Sequence, residues 1–401
     1  MPPNTSIGPA DTPSTLAEEE SLKQLIETTP FFDVEISKDA LFDGAFKVVS
    51  CVFPHWKYED IQFFQCKDGI TNQLVRVTYM PTAFSVLVRA YGKGSERLID
   101  RKQEIINIIT LASQNMCPPL YARFKNGLVY GFIKGKVSTV EELGQEKTAE
   151  WIAKKLAKWH KVKLPQTQHH PGSDKKEQQK LWATMYKWLE QVPEKYENAS
   201  TQSIFETNFD MKKIRSELET LIESLETLES PIVFSHNDLL YGNIIFDEEK
   251  GTEKKTNKLK ASTSVGFRIT FFAHPIEEAN FIDYEYGCYA FRGFDIGNHF
   301  NEFAGFECEY WRYPSKEFQL KWFDWYLTEY NNGVEPTKEE KLKLYKEVNG
   351  FALASHYYWG LWAMIQAMVS DIDFNYMEYA VLRFEEYEKR KNEVLLKNLT
   401  V

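Results

Sequence analysis

The sequence predicts an α+β fold in two lobes, a small sheet-containing N-lobe followed by a larger, mostly helical C-lobe. Between residues 59 and 92 the apolar residues abandon helical spacing and alternate along three short segments. From about residue 139 the spacing becomes helical again for most of the remaining chain. At 401 residues with 43% hydrophobic side chains, the chain is long enough for two lobes with a substantial core.

Residues 1–20, MPPNTSIGPADTPSTLAEEE, are rich in Pro, Ser, Thr and acid and read as a disordered tail. The N-lobe is expected over 21–134. It starts in the helical SLKQLIETT or near FFDVEI, and ALFDGAFKVVSCVFPHW forms a second helix. EDIQFFQC and LVRVTYM read as strands joined by the turn KDGITNQ, and FSVLVRAYG as a third strand. ERLIDRKQEIINIITLASQN is a helix stopped by CPP, and LYARFKN with GLVYGFIKG forms a hairpin about Asn126-Gly127.

The C-lobe, 135–401, is expected to hold helices in EELGQEKTAEWIAKKLAKWHKV, in 179–191, in ETNFDMKKIRSELETLIESLETL and again after 295. Two strand-like segments, PIVF and IIF, interrupt it. The Lys/Thr/Ser-rich 248–266 reads as a solvated loop insertion.

Composition removes several functions. A net charge of −10 argues against nucleic-acid binding, which needs a basic face. Cys51, Cys66, Cys117, Cys288 and Cys308 are scattered and odd in number, as in reduced thiols of a cytoplasmic protein. No apolar run reaches the roughly 18 residues of a membrane span, and a signal-peptide core is missing, so an integral membrane protein is not expected.

PIVF and IIF flank SHNDLLYGN, which sets His236, Asp238 and Asn243 between two strands. A strand, a loop bearing aspartate and an asparagine five residues later match the catalytic loop of protein-kinase-like enzymes. There the aspartate accepts the proton of the attacking hydroxyl and the asparagine holds magnesium. NFIDYEY then places Asp283 after a short apolar strand, where such kinases keep a second metal ligand.

In the N-lobe, the turn carrying Gly69, Thr71 and Asn72 sits where phosphates are covered. A plain hairpin turn explains it equally well. Arg89 on the third strand takes the place of the phosphate-contacting lysine, and Glu104 on the next helix can pair with it. Trp359 and Trp362 lie three apart and share a helical face, a spacing that suits a packed core as well as a cation pocket.

HNDLLYGNII, FIDYEYGCYAFRGFDIGNHFNEFAGF and FALASHYYWGLWAMIQA resemble the choline/ethanolamine kinase family, and the likeness runs from about residue 65 to 390. The DGITN turn, the VLVR-YG strand, DLL and NHFNEFAG bring it nearer the ethanolamine-directed members. The resemblance implies transfer of the γ-phosphoryl group of ATP to ethanolamine, the first step of the CDP-ethanolamine route to phosphatidylethanolamine. Choline as an alternative or additional acceptor stays open, as does a catalytically dead interaction protein.

The resemblance also implies roles. Asp238 is the base, with His236 bracing its loop, and Asn243 and Asp283 hold Mg2+ between the phosphates. Arg89, paired with Glu104, contacts those phosphates, and backbone near Gly131 and Ile133 holds the adenine. Tyr286, Glu302, Trp359, Trp362 and Tyr379 form the pocket for the substrate cation, while Asp295 hydrogen-bonds the catalytic loop. A homodimer is compatible with the family. The stretch between Asn243 and Asp283 departs from the family in being far longer than a hairpin connection needs, which leaves the strand pairing there open.

Overall fold

A computed structural model describes residues 13–66, 73–92, 94–165, 179–247 and 278–398. Helix α1 (Pro13–Glu27) starts with proline at its first position, where the missing N–H breaks no helical hydrogen bond. Helix therefore extends into the span expected to be a disordered tail. LAEEESLKQL is built almost wholly of strong helix formers, which outweighs its polarity. Residues 1–12 of that expected tail lie outside the described residues.

Next come β1 (Phe31–Phe32) and α2 (Leu41–Val52), which buries Leu41, Ala45, Val48 and Val49 along one stripe. Strands β2 (Ile61–Cys66), β3 (Gln73–Tyr79) and β4 (Phe84–Ala90) precede α3 (Arg101–Ser113). Asp100 caps α3 by accepting the N–H groups of Lys102 and Gln103. Strands β5 (Leu120–Phe124) and β6 (Gly127–Gly131) complete a six-stranded sheet in the order β1-β5-β6-β4-β3-β2. Alternation puts Val75, Val77, Val86, Val88, Ala122 and Val129 in the core of this region.

The β5–β6 hairpin differs from its expected form. Phe124 pairs with Gly127, so the loop is Lys125-Asn126 and Gly127 already belongs to the strand. Gly127 answers to packing: a Cβ there would lie 2.0 Å from the Arg89 carbonyl oxygen on the neighbouring strand. Gly127→Ala is expected to cost about 1–3 kcal/mol by forcing β6 away from β4. A thermal melt checks it, and an unchanged midpoint would remove the close-approach argument.

The remainder is mostly helical. After β7 (Lys136–Val137) come α4 (Val140–Leu143) and α5 (Glu146–Trp159), so the single helix expected there is broken around Gly144. Helices α6 (Leu181–Gln191), α7 (Ala199–Asn208) and α8 (Met211–Glu226) follow, the last capped by Asp210. Strands β8 (Ile232–Ser235) and β9 (Ile244–Phe246) bracket the catalytic-loop motif, and β10 (Ala279–Phe281) and β11 (Cys288–Phe291) come after it. Helices α9 (Arg292–Asn301), α10 (Lys316–Tyr330), α11 (Lys338–Val369) and α12 (Tyr376–Asn398) close the fold.

The two strands around the motif do not pair with each other. β8 pairs antiparallel with β11, while β9 pairs with β10 and β7. The register Ile244–Phe281 and Phe246–Ala279 closes normally despite the long connection. The 248–266 insertion and the FRITFFAHP segment lie outside the described residues.

Helix α9 carries Gly293 and Gly297 one turn apart. At Gly297 a Cβ would sit 2.6 Å from the Val348 carbonyl, so glycine lets α9 press directly on α11. Among the described residues, no helix is long and apolar enough to cross a membrane.

Candidate active site

The loop between β8 and β9 is held by side chains from behind. Asp295, on α9, accepts the backbone N–H groups of His236 (2.8 Å) and Asn237 (2.7 Å) and also His160 Nε2 (2.9 Å). Burial pushes the Asp295 carboxyl up, but the hydrogen bond to His160 and the influence of His160, His236 and the backbone N–H of His236 together hold it below the ordinary range. Asn298 Nδ2 donates to the Asn237 carbonyl (3.1 Å), and His299 Nδ1 contacts the Leu239 carbonyl (2.9 Å). Asn237 adopts φ +65°, a left-handed conformation that asparagine tolerates better than most residues. Helix α9 thus presents three polar side chains to the loop while its glycines face α11.

His236 joins two loops. Its Nε2 lies 3.0 Å from the Ile282 carbonyl and its Nδ1 accepts the Asp238 N–H at 3.3 Å, which assigns the proton to Nε2. Burial lowers its pKa, so the neutral ring suits this geometry.

Asp238 Oδ2 accepts Asn243 Nδ2 at 3.0 Å, and the same Nδ2 donates to the Asp238 carbonyl at 2.8 Å. The Asn243 amide is thereby oriented with Nδ2 into the loop and Oδ1 turned away. Burial raises the Asp238 carboxyl well above the carboxylate range, and the charges of Asp283, Glu302 and Glu285 add to that push.

Asp283 follows β10 with φ +67° and a side chain 31% exposed. Its Oδ1 accepts Arg89 Nη1 at 3.0 Å, joining the N-terminal sheet to the helical region. Arg89 also contacts Glu104 Oε1 (3.3 Å) and Glu285 Oε2 (2.5 Å). Arg101 completes the cluster with Glu104 (2.9 Å) and Glu285 (2.9 Å). Glu104 is fully buried between the two arginines, so it positions Arg89 and presents no oxygen to solvent.

Arg101 and Glu285 are absent from the sequence reading. Arg101 stands three residues before Glu104 on one helix, and Glu285 two residues after Asp283, so local spacing held a signal for both. Gly69, Thr71 and Asn72 lie outside the described residues. The Gly131 N–H already donates to the Pro119 carbonyl at 3.0 Å, so that donor is taken, while Ile133 follows just beyond the strand end.

The aromatic residues assemble around the far side of the loop. Tyr286 lies edge-on to Trp359 (5.4 Å between centroids), Trp359 edge-on to Trp362 (5.4 Å), and the Trp362 indole N–H donates to the Tyr286 hydroxyl at 2.9 Å. These rings and Tyr379 belong to a hydrophobic core cluster. A plain core has no use for the buried carboxylate among them. Glu302 Oε1 accepts Arg383 Nη1 at 3.2 Å, and that same nitrogen donates to the Tyr379 hydroxyl at 3.0 Å. Arg383 was missed too, although it follows Tyr379 by one helical turn. A cavity of about 270 Å³ bordered by Phe209, Ile214 and Phe384 contains none of the motif residues.

The arrangement joins the Asp238 loop carboxylate, an arginine–carboxylate cluster and a group of buried aromatic rings with a buried acid beside Tyr379. A model of the choline/ethanolamine kinase family matches residues 63–388. The chain belongs to the choline/ethanolamine kinase family.

Within this family, rat ethanolamine kinase 2 is 37% identical over 368 residues, 91% of this chain and 85% of the relative. Probable ethanolamine kinase A of Dictyostelium discoideum is 37% identical over 380 residues, 91% of this chain and 96% of its own. Among solved structures, Plasmodium vivax ethanolamine kinase superposes with a TM-score of 0.72 at 26% identity, covering 95% of each chain. A choline kinase from Cryptosporidium parvum shares the fold at a TM-score of 0.67 and 24% identity, covering 89% of this chain and 97% of its own.

Proposed function

We propose that the protein transfers the γ-phosphoryl group of ATP to the hydroxyl of ethanolamine. The observation that carries this is one buried network joining two carboxylates. Glu302 binds Arg383 beside Tyr379, and Arg383 is linked through Ser355 and Asn298 to the loop that carries Asp238. An amino alcohol carries an ammonium group and a hydroxyl two carbons apart, so Glu302 and the rings receive the first while Asp238 meets the second. The relatives named ethanolamine kinases support the choice of acceptor.

Asp238 orients the hydroxyl and accepts its proton as the oxygen attacks phosphorus. Burial and neighbouring carboxylates raise its pKa, and the cations that arrive with the substrates oppose that rise. Arg89 stabilises negative charge on the phosphoryl oxygens while Glu104 and Glu285 fix its position.

The oxygens of Asn243 and Asp283 fit Mg2+, which accepts one or two hard oxygen donors from protein and completes its shell with phosphates and water. When bound, that ion neutralises charge building between the phosphates. Residues 21–134 are read as the nucleotide-binding lobe and 135–401 as the lobe carrying the catalytic loop and cation pocket. The odd number of scattered cysteines suits a reducing, cytoplasmic setting.

Side-by-side assays at matched ATP and magnesium test the acceptor. kcat/KM should favour ethanolamine over choline by at least about tenfold, equivalent to about 1.4 kcal/mol of differential transition-state stabilisation. A primary ammonium donates N–H bonds to Glu302, whereas trimethylammonium offers none and relies on the rings. Equal or better turnover of choline would reassign the acceptor.

A further inference from the structure

Arg383 is 2% exposed and donates four hydrogen bonds. Nη1 reaches Glu302 Oε1 and Tyr379 Oη. Nη2 reaches the Ser355 carbonyl (3.1 Å) and Ser355 Oγ (2.9 Å). Ser355 Oγ lies 2.8 Å from Asn298 Oδ1, which also accepts the Trp359 indole N–H at 2.7 Å. Asn298 Nδ2 then donates to the carbonyl of Asn237, the residue before Asp238. A continuous chain of hydrogen bonds therefore runs from Arg383 to the catalytic loop, through residues that touch the aromatic pocket.

A guanidinium inside a pocket meant for an ammonium group demands a reason, because one cation repels another. Its geometry supplies one. Arg383 takes Oε1 of Glu302, and Oε2 has no protein partner among the described residues. We infer that Arg383 is a positioning residue that holds Glu302 charged and oriented to receive the substrate ammonium, and couples it to the catalytic loop through Ser355 and Asn298. The inference rests on the amino-alcohol reading above.

The electrostatics agree. Burial raises the Glu302 pKa, and Arg383 is the opposing influence. The other ionisable groups around Glu302 are Asp238 and Tyr241 on the catalytic-loop side, Cys308 beyond α9 and Tyr379 on α12, while Tyr310 and His356 face Arg383. Asp238, Tyr241, Cys308, Tyr310 and Tyr379 are acids, neutral or anionic, and burial together with Arg383 keeps the His356 ring neutral, so none supplies a positive charge in place of Arg383. Removing the guanidinium leaves burial unopposed, the Glu302 carboxylate forms only at higher pH, and the acid limb of kcat/KM for ethanolamine moves upward.

Steady-state kinetics from pH 6 to 9 on wild type, Arg383→Met, Arg383→Lys, Glu302→Gln and the Glu302→Gln/Arg383→Met double variant test this. Arg383→Met should raise KM for ethanolamine by about tenfold or more while KM for ATP stays within about twofold. Its acid limb should shift upward, and Arg383→Lys should restore the limb because the charge returns. Once Glu302 is an amide, Arg383→Met should add less than about threefold, since the two substitutions disable one device.

Equal increases in both KM values, or a full additional effect on top of Glu302→Gln, would overturn the inference. If Arg383→Met does not fold, Arg383→Lys decides. Lysine keeps the charge but not the fork that orients Glu302, so a rise confined to the ethanolamine KM supports the inference, and parallel rises or none refute it. A wild type that ignores ethanolamine but phosphorylates another amino alcohol defeats the acceptor assignment alone, and the same series is then read with that alcohol.

Discussion

Asp238→Asn is expected to lower kcat on the order of 10²–10⁴-fold while KM for ATP and the melting temperature stay close to wild type. The substitution keeps the shape of the side chain. Asn243 Nδ2 donates to Asp238 Oδ2, so the new amide must turn its oxygen toward Asn243 to avoid setting two N–H groups against each other. Its NH2 then faces the position of the attacking hydroxyl and has no lone pair to accept the proton. The backbone bonds from Asp295 and His299 to the loop are untouched, so folding should survive. Single-turnover assays with saturating ATP and ethanolamine check this. A rate within about tenfold of wild type would remove Asp238 from the role of base.

What the sequence made legible was what chain connectivity keeps local. His236, Asp238 and Asn243 fall within one short loop, and its two flanking strands are visible in the apolar runs on either side. Their pairing was not visible: β8 finds β11 and β9 finds β10, and only tertiary packing selects among short apolar strands of this kind.

The Arg89 cluster shows the same divide. Arg89 and Glu104 are fifteen positions apart and follow a recognised order, but Glu285 meets Arg89 from 196 positions away. Its place two residues after Asp283 hints that Glu285 belongs to the site, but nothing local names Arg89 as its partner. Arg383 is a different case. An arginine one turn after Tyr379 reads as an ordinary helix-surface residue until its burial is known. Asn126-Gly127 was legible as a hairpin, yet the reason for the glycine lay in the adjacent strand. The Trp359 and Trp362 spacing suits core and pocket alike, the rings lie within a core cluster, and the buried Glu302 beside Tyr379 and Arg383 is what favours the proposed pocket.

Asp283→Ala should lose activity as severely as the loop variant, by a different route. The substitution removes an oxygen expected to hold magnesium, whose charge stabilisation is worth several kcal/mol, a loss on the order of 10²–10⁴-fold. It also takes away one of the carboxylates around Arg89, though Glu104 and Glu285 remain to hold the guanidinium. A second consequence is structural. Asp283 has φ +67°, and alanine in that left-handed conformation costs about 1–2 kcal/mol. Asp283→Asn separates the effects, because asparagine tolerates this backbone as aspartate does while lacking the charge. The asparagine variant should therefore melt close to wild type and still be strongly impaired, because its amide oxygen lacks the charge, and raising magnesium should recover little in the alanine variant, whose ligand is missing. A titration of residual rate against magnesium distinguishes the roles. An asparagine variant with wild-type magnesium dependence would show that Asp283 acts through Arg89 alone, and the metal would then have to be assigned to other oxygens.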